Sequence, residues 1–321
     1  MGEESVTNLD TESEKVCVLM QPLYHPLPGL VRQVEEHYTL LQVGELDSKV
    51  SSRISALISP CRLVDQPLLD ALPNLRIICN SGVGVDNIDL NLCRQRGIRV
   101  TNAAHSSVTA DTADMAILLM LSALRRLCPA HNFVRRGSWS LSSFPLARKA
   151  SGLRVGIVGL GQIGRAIAKR AAGLNSIVSY CGPTRKEDVS YAYYADEIDL
   201  AANSDVLIVA CLLSKDTTHL IGKDVLDALG PMGTLINIAR GPVVDELELS
   251  KALVEKRLGA AGLDVFEKEP HICAELMSMD NVVLSPHAGA ATWETRTAVA
   301  QLIVDNLNAF FTGKPLLSPV I

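Results

Sequence analysis

None of the eight cysteines (Cys17, Cys61, Cys79, Cys93, Cys128, Cys181, Cys211, Cys273) is spaced C-x-x-C, and no N-x-S/T sequon occurs. The first absence removes the usual zinc and dithiol motifs, and together they fit a reducing compartment. Several of the thiols sit in apolar runs such as RIICN and LIVACLL, where cysteine behaves as a small core residue. Positive charge is not in excess either: 30 Lys and Arg against 35 Asp and Glu leave a formal charge of −5. That balance argues against nucleic acid or an anionic membrane as the main partner. No apolar run approaches the roughly 18 residues of a membrane span, and the longest, MAILLML, fits a buried helix. The opening MGEESVTNLDTESE lacks the basic, apolar and small-residue zones of a signal peptide, and its acidity argues against a transit peptide. It is expected to be a disordered tail. Val6 stands where myristoylation needs Ser or Thr, and the closing PVI is not a peroxisomal signal, so a cytoplasmic location is expected.

What is present is a chain of 321 residues, 48% hydrophobic and 20% charged, long enough for two cores of ordinary size. From Val16 strand-like and helix-like segments alternate. VCVLM, SALIS, LRIICN and IRVTN read as strands, with helices at LVRQVEEHY, QPLLDAL and LNLCRQRG. A long apolar helix follows over about 107–126. A second series then runs RVGIVGLG, SIVSY, SDVLIVAC, GTLINIA, LGAAGLDV and NVVLSP, about six strands. Buried apolar strands separated by helices mean βαβ units and parallel sheets. The last helix, ATWETRTAVAQLIVDNLNAFF before Gly313, comes too late for the six-strand series and is assigned back to the first. The expected architecture is α/β, with two doubly wound parallel-sheet domains. A flavodoxin-like substrate domain, 1–104 and 292–321, is interrupted by a Rossmann cofactor domain, 105–291, with a cleft between the lobes.

The stretch VGIVGLGQIGRAIAKRA places Gly159-x-Gly161-x-x-Gly164 directly after a strand and at the start of a helix. There Gly159 permits a tight turn, Gly161 lets backbone approach a pyrophosphate, and Gly164 lets helix pack on strand. The helix N-terminus offers N–H groups and a positive dipole end. An acid for the ribose 2′-hydroxyl is expected at the tip of the next strand, about 20 residues on. Cys181 stands there instead, and Glu187 and Asp188 come only after a Pro-containing bend. Arg185, with Thr184 and Lys186, can bind a 2′-phosphate, which favours NADP(H) over NAD(H). A solvated basic loop is the other reading.

Three more strand ends carry polar groups: Arg240 in NIARGPVVDE, Asp264 and Glu269 in GLDVFEKEP, and His287 in LSPHAGAAT. Ligands of open α/β sheets bind at the carboxyl ends of strands, so these segments point to one site. No metal site is expected.

With NSGVGVDNIDL, ADTADMAILLML, VGIVGLGQIG, LINIARGPVVDE, GAAGLDVFEKEP and NVVLSPHAG, the chain resembles the D-isomer-specific 2-hydroxyacid dehydrogenases from Val16 onward. SDVLIVACLLSKDTTHLI and KPLLSPVI are most similar to the family's plant hydroxypyruvate and hydroxyphenylpyruvate reductases. Taken with the basic turn after Cys181, which favours NADPH, the resemblance implies a reductase of hydroxypyruvate, glyoxylate or 4-hydroxyphenylpyruvate, with Arg240, Glu269 and His287 as its catalytic trio. Reducing a 2-oxo acid needs hydride at the carbonyl carbon and a proton at its oxygen. Histidine, with a reference pKa near 6.5, is a natural acid, a neighbouring carboxylate favours its imidazolium, and arginine can clamp a carboxylate. The resemblance further implies that N–H groups of Val83 and Gly84 receive the substrate carboxylate, and that Arg240 and His287 also touch substrate. It puts Ile238, Ala239 and Asp264 beside the nicotinamide, and Leu160, Gly161, Gln162 and Ile163 on the pyrophosphate. It implies a homodimer with Trp139 near the partner's site, although a core tryptophan would read the same way. Two segments depart from the family: CGPTRKE replaces a shorter Ser-Arg-Ser type loop, and AGAAT after His287 is unusually apolar. A non-catalytic, dinucleotide-sensing co-repressor on the same fold is the rival reading.

Overall fold

A computed structural model of the chain describes residues 15–43, 48–60 and 62–321. The tail expected over 1–14 lies outside the described residues, as does Cys61. Two compact units emerge, one running to Ala104 and resuming over Arg296–Ile321, the other spanning His105–Thr295. The return to the first unit falls at Arg296 rather than 292, inside the helix Trp293–Phe311.

The first unit is built on β1 (Cys17–Met20), β2 (Thr39–Gln42), β3 (Ile54–Ser59), β4 (Ile77–Asn80) and β5 (Arg99–Thr101). All pairings are parallel, in the order β2-β1-β3-β4-β5, which is flavodoxin-like. Ala56, Leu57 and Ile58 are all fully buried, although successive side chains on a strand point to opposite faces. Both faces are therefore covered, and the strand reads as an unbroken apolar run. Each such Leu or Ile contributes roughly 1.5–3 kcal/mol relative to exposure. β2 was not among the expected strands: TLLQ is a short, partly exposed edge with no apolar run to announce it.

The closing helix fastens onto this unit. The Tyr38 hydroxyl donates to Asn308 Oδ1 at 2.7 Å, and the Arg76 guanidinium lies over the Phe310 ring. Beyond Gly313, which takes a left-handed φ of 70°, the C-terminal segment laces onto β5 through Val320 N–H to Val100 O, 2.8 Å.

The second unit contains β6 (Arg154–Val158), β7 (Ile177–Cys181), β8 (Ala192–Tyr194), β9 (Val206–Val209), β10 (Thr234–Asn237), β11 (Ala260–Leu263) and β12 (Val282–Leu284). The sheet is seven-stranded, β12-β11-β10-β9-β6-β7-β8, and all parallel. Read from β8, this is the Rossmann order with one further strand, β12. The sequence suggested six strands. The additional one is β8, a three-residue edge of mixed exposure. Side chains alternate between two cores: on β9, Leu207 and Val209 enter one cluster while Val206 and Ile208 enter the other.

The long apolar helix spans Ser106–Arg125, ended by Arg126 in left-handed conformation (φ 52°). By length and composition it would suit a membrane span, with mean hydropathy 1.4, which its seven-residue apolar run alone did not suggest. Here it is a core helix. Ala113, Ala116, Leu119, Met120 and Leu124 are buried in the second unit's core, and Arg170 donates to Asp114 Oδ1 at 2.6 Å. The stretch after it forms the helix Leu127–Arg135 and a single turn Ser138–Ser140. Pro129 is tolerated because it lies in the helix's first turn. Trp139 on that turn is 72% exposed, which removes the core-tryptophan reading.

Candidate active site

The glycine fingerprint closes β6 and opens the helix Gln162–Gly173. Gly159 has φ 94°, and a Cβ there would lie 2.7 Å from the backbone Cα of Cys211. A Cβ on Gly164 would fall 2.1 Å from the carbonyl oxygen of Gly159, so the helix can seat on the turn only without one. Gly161 is different: nothing lies within 4 Å of its missing Cβ. As N-cap it offers no side chain to the helix's first N–H groups, whereas Asp65 and Asp245 cap their helices with their own carboxylates. The Leu160 side chain is buried and offers a ligand only its backbone, while Ile163 is half-buried against the same core. A cradle with two steric glycines, one open glycine and an uncapped helix end fits a dinucleotide pyrophosphate. β6 also sits between β7 and β9, where strand order reverses.

At the tip of β7, Cys181 is buried, and burial pushes its thiol up to about 12. It offers no carboxylate to a ribose. Asp188 is taken by Arg165, with both carboxylate oxygens at 2.9 Å from guanidinium nitrogens, and this hydrogen bonding holds its carboxyl below the usual range. Thr184 and Arg185 are exposed, Lys186 Nζ donates to Thr184 Oγ1 at 3.3 Å, and Arg185 meets no partner among the described residues.

Arg240, Glu269 and His287 follow β10, β11 and β12, which are neighbours in the sheet. His287 Nδ1 lies 2.7 Å from Glu269 Oε2, and Phe266 N–H donates to Glu269 Oε1 at 3.0 Å. An ionised carboxylate only accepts, so Nδ1 carries the proton of this bond and Nε2 is the ring nitrogen on the side away from Glu269. Burial alone would raise the Glu269 carboxyl, but the hydrogen bond and charge of His287, the Phe266 N–H and the Arg240 charge outweigh it, and the net shift is downward. A depressed folded-state pKa stabilises the fold above the ordinary value of 4.5 and loses that contribution as pH falls through the folded value. The stability difference between wild type and Glu269→Gln should therefore be largest near neutrality and narrow below pH 4.5. Thermal melts of both proteins from pH 3 to 8 check this, and a constant gap would reject it.

The three side chains are held by groups whose roles were not read from sequence. Asn237, buried at the end of β10, accepts Ala239 N–H and donates to Arg240 O, each at 3.0 Å, which turns the chain at Arg240. Asp264 was expected beside the nicotinamide. Its buried carboxylate accepts Ala288 N–H and Gly289 N–H, both at 2.8 Å. His287 N–H donates to Asp264 O at 2.8 Å, and His287 itself has φ 53°. A left-handed histidine costs roughly 1–2 kcal/mol, and this clamp is what sustains it. Gly289 is needed because a Cβ there would press within 2.8 Å of Asp264 Oδ2, which explains part of the small-residue run after His287.

In the first unit, carbonyls around Val83 and Gly84 are engaged: Asn80 Nδ2 donates to Gly82 O and Gly84 O, and Asn102 Nδ2 to Val83 O. The N–H groups of Val83 and Gly84 donate to nothing among the described residues. Two adjacent N–H groups are thus available to an acceptor. Among the described residues, no group of His, Cys, Asp or Glu is gathered to hold a metal.

A Rossmann sheet with a phosphate cradle at its switch point, and an Arg/Glu/His cluster at the ends of β10, β11 and β12, defines a dinucleotide-dependent oxidoreductase class. Residues 117–289, more than half the chain, match the family model described as D-isomer specific 2-hydroxyacid dehydrogenase, NAD binding domain. Hydroxyphenylpyruvate reductase of Plectranthus scutellarioides is 52% identical over 80% of this chain and 82% of its own length. Glyoxylate/hydroxypyruvate reductase A HPR2 of Arabidopsis thaliana is 54% identical over the same shares. Among solved structures, the NADPH-dependent glyoxylate/hydroxypyruvate reductase of Sinorhizobium meliloti, in complex with NADP and malonate, superposes with a TM-score of 0.89. It is 36% identical over 95% of this chain and 97% of that one. The chain belongs to the D-isomer-specific 2-hydroxyacid dehydrogenase family.

Proposed function

We propose that this protein reduces small 2-oxo acids, among them hydroxypyruvate, glyoxylate and 4-hydroxyphenylpyruvate, to D-2-hydroxy acids, with NADPH preferred over NADH. The observation that carries the reading is the 2.7 Å pairing of His287 with Glu269, beside Arg240, at the ends of three adjacent strands. The bound dinucleotide supplies the hydride. Arg240 binds the substrate carboxylate and polarises the carbonyl, and His287 delivers the Nε2 proton to the carbonyl oxygen. Glu269 accepts Nδ1–H and fixes the ring's orientation. The N–H groups of Val83 and Gly84 are the proposed backbone donors to the carboxylate, and buried Ile238 and Ala239 the proposed wall beside the nicotinamide.

Preference for NADPH is supported by the buried thiol at the strand tip, by the engagement of Asp188 with Arg165, and by the Thr184-Arg185-Lys186 turn, in which Thr184 and Arg185 are exposed. The Sinorhizobium relative, described as NADPH-dependent, points the same way. A homodimer is part of the proposal, supported by the exposed apolar side chains of Trp139, Leu141 and Leu146 on one segment.

The test is NADPH and NADH oxidation with each of the three oxo acids. Arg185→Ala should raise KM for NADPH by about ten-fold, the scale of a lost charge-assisted hydrogen bond, and change KM for NADH less than about two-fold. No turnover of any oxo acid by folded protein would overturn the enzyme reading in favour of a non-catalytic dinucleotide sensor.

A further inference from the structure

The turn after β7 is not a free loop. Lys186 N–H donates to the Tyr180 hydroxyl at 2.7 Å, and the Tyr193 hydroxyl donates to Gly182 O at 3.1 Å. Tyr180 is the larger anomaly: it is 1% exposed, so its ring is spent in the core while its hydroxyl reaches out to a backbone six residues on. Tyr193 comes from β8, and the two residues are register partners across the β7–β8 pairing. Their rings meet at 5.4 Å between centroids, tilted by 53°. Two hydroxyls from one packed aromatic pair therefore grip the two ends of the segment Gly182–Lys186, which carries Thr184 and Arg185 between them. The downstream end is tethered again, because Asp188 is bonded to Arg165 on the helix Gln162–Gly173.

We propose that Tyr180 and Tyr193 are positioning residues for cofactor selectivity, holding the Thr184-Arg185-Lys186 turn in the one conformation that receives a 2′-phosphate. This rests on the NADPH reading above. Turn residues on a five-residue segment exposed at its centre, Pro183 to Arg185, would otherwise lose backbone and side-chain freedom on binding, and prior fixation removes that cost. The additional strand β8 thereby gains a purpose, since it carries the second hydroxyl to the turn.

The test needs no turnover. Binding of adenosine 2′,5′-bisphosphate and of 5′-AMP is measured by calorimetry for wild type, Tyr180→Phe, Tyr193→Phe, the double variant, and T184A/R185A/K186A. Each single hydroxyl deletion should weaken the bisphosphate by about five-fold and the double by about twenty-fold, with 5′-AMP within about two-fold throughout. Hydrogen exchange should show the Lys186 amide losing protection in Tyr180→Phe. Equal weakening of both nucleotides, or no weakening by the tyrosine variants while the triple variant loses only the bisphosphate, overturns the proposal and leaves the cofactor reading standing. A triple variant that binds the bisphosphate as wild type does overturns both.

Discussion

Replacing His287 by asparagine should lower kcat by about a hundred- to ten-thousand-fold, the range for removal of a general acid, and leave NADPH affinity nearly unchanged. Asparagine is the informative substitute. His287 has φ 53°, and asparagine accepts that left-handed conformation more readily than most residues, so the Asp264 clamp on Ala288 and Gly289 can persist. What disappears is the ring whose Nδ1 meets Glu269 at 2.7 Å and whose Nε2 is assigned to the carbonyl oxygen. The measurement is kcat with a saturating oxo acid, beside the dissociation constant for NADPH from its fluorescence. A kcat within ten-fold of wild type would remove His287 from proton delivery. A large loss of NADPH affinity would mean that the turn itself had collapsed.

The features legible in the sequence share a property: each is a residue type demanded by local chemistry at a short spacing. Gly159, Gly161 and Gly164 are read from their positions between a strand and a helix; the structure gives Gly159 and Gly164 steric reasons, and leaves the space beside Gly161 open. Parallel sheets were legible because doubly covered strands are continuous apolar runs. Edge strands β2 and β8 were missed because short, half-exposed edges have no such run. The supports of the site were not legible for a different reason. Asp264 and Tyr193 bond backbone groups far along the chain, and Asn80, Asn237 and Tyr180 bond backbone of the turns that follow their own strands, partners that only the folded turn geometry selects. Asp264 illustrates this. Its position beside the trio was evident, but only the fold shows that both its oxygens are committed to the turn after His287. Cys181 was visible as a missing acid, and its burial adds that the thiol itself is turned into the core.

Gly241→Ala should cost about 3 kcal/mol or more and reduce activity sharply even where the protein still folds. Its backbone needs no left-handed φ, so the argument is purely one of space. A Cβ at Gly241 would fall 1.9 Å from both the carbonyl carbon and the carbonyl oxygen of Phe266, and 2.3 Å from Glu267 N. All three are backbone atoms, so no side-chain rotation can relieve the overlap. The two segments that must part are those that carry the site: Arg240 directly precedes the glycine, and Phe266 N–H anchors Glu269 Oε1. Separation therefore displaces the arginine from the carboxylate–histidine pair at the same time as it opens the packing between them. For a unit of this size the loss corresponds to a fall in Tm of about 6–12 °C. Gly173→Ala, at a position where nothing lies within 4 Å of the new Cβ, is the control and should melt as wild type. Gly241→Ala with an unchanged Tm and full activity would mean that β10 and β11 do not bring these two turns into contact.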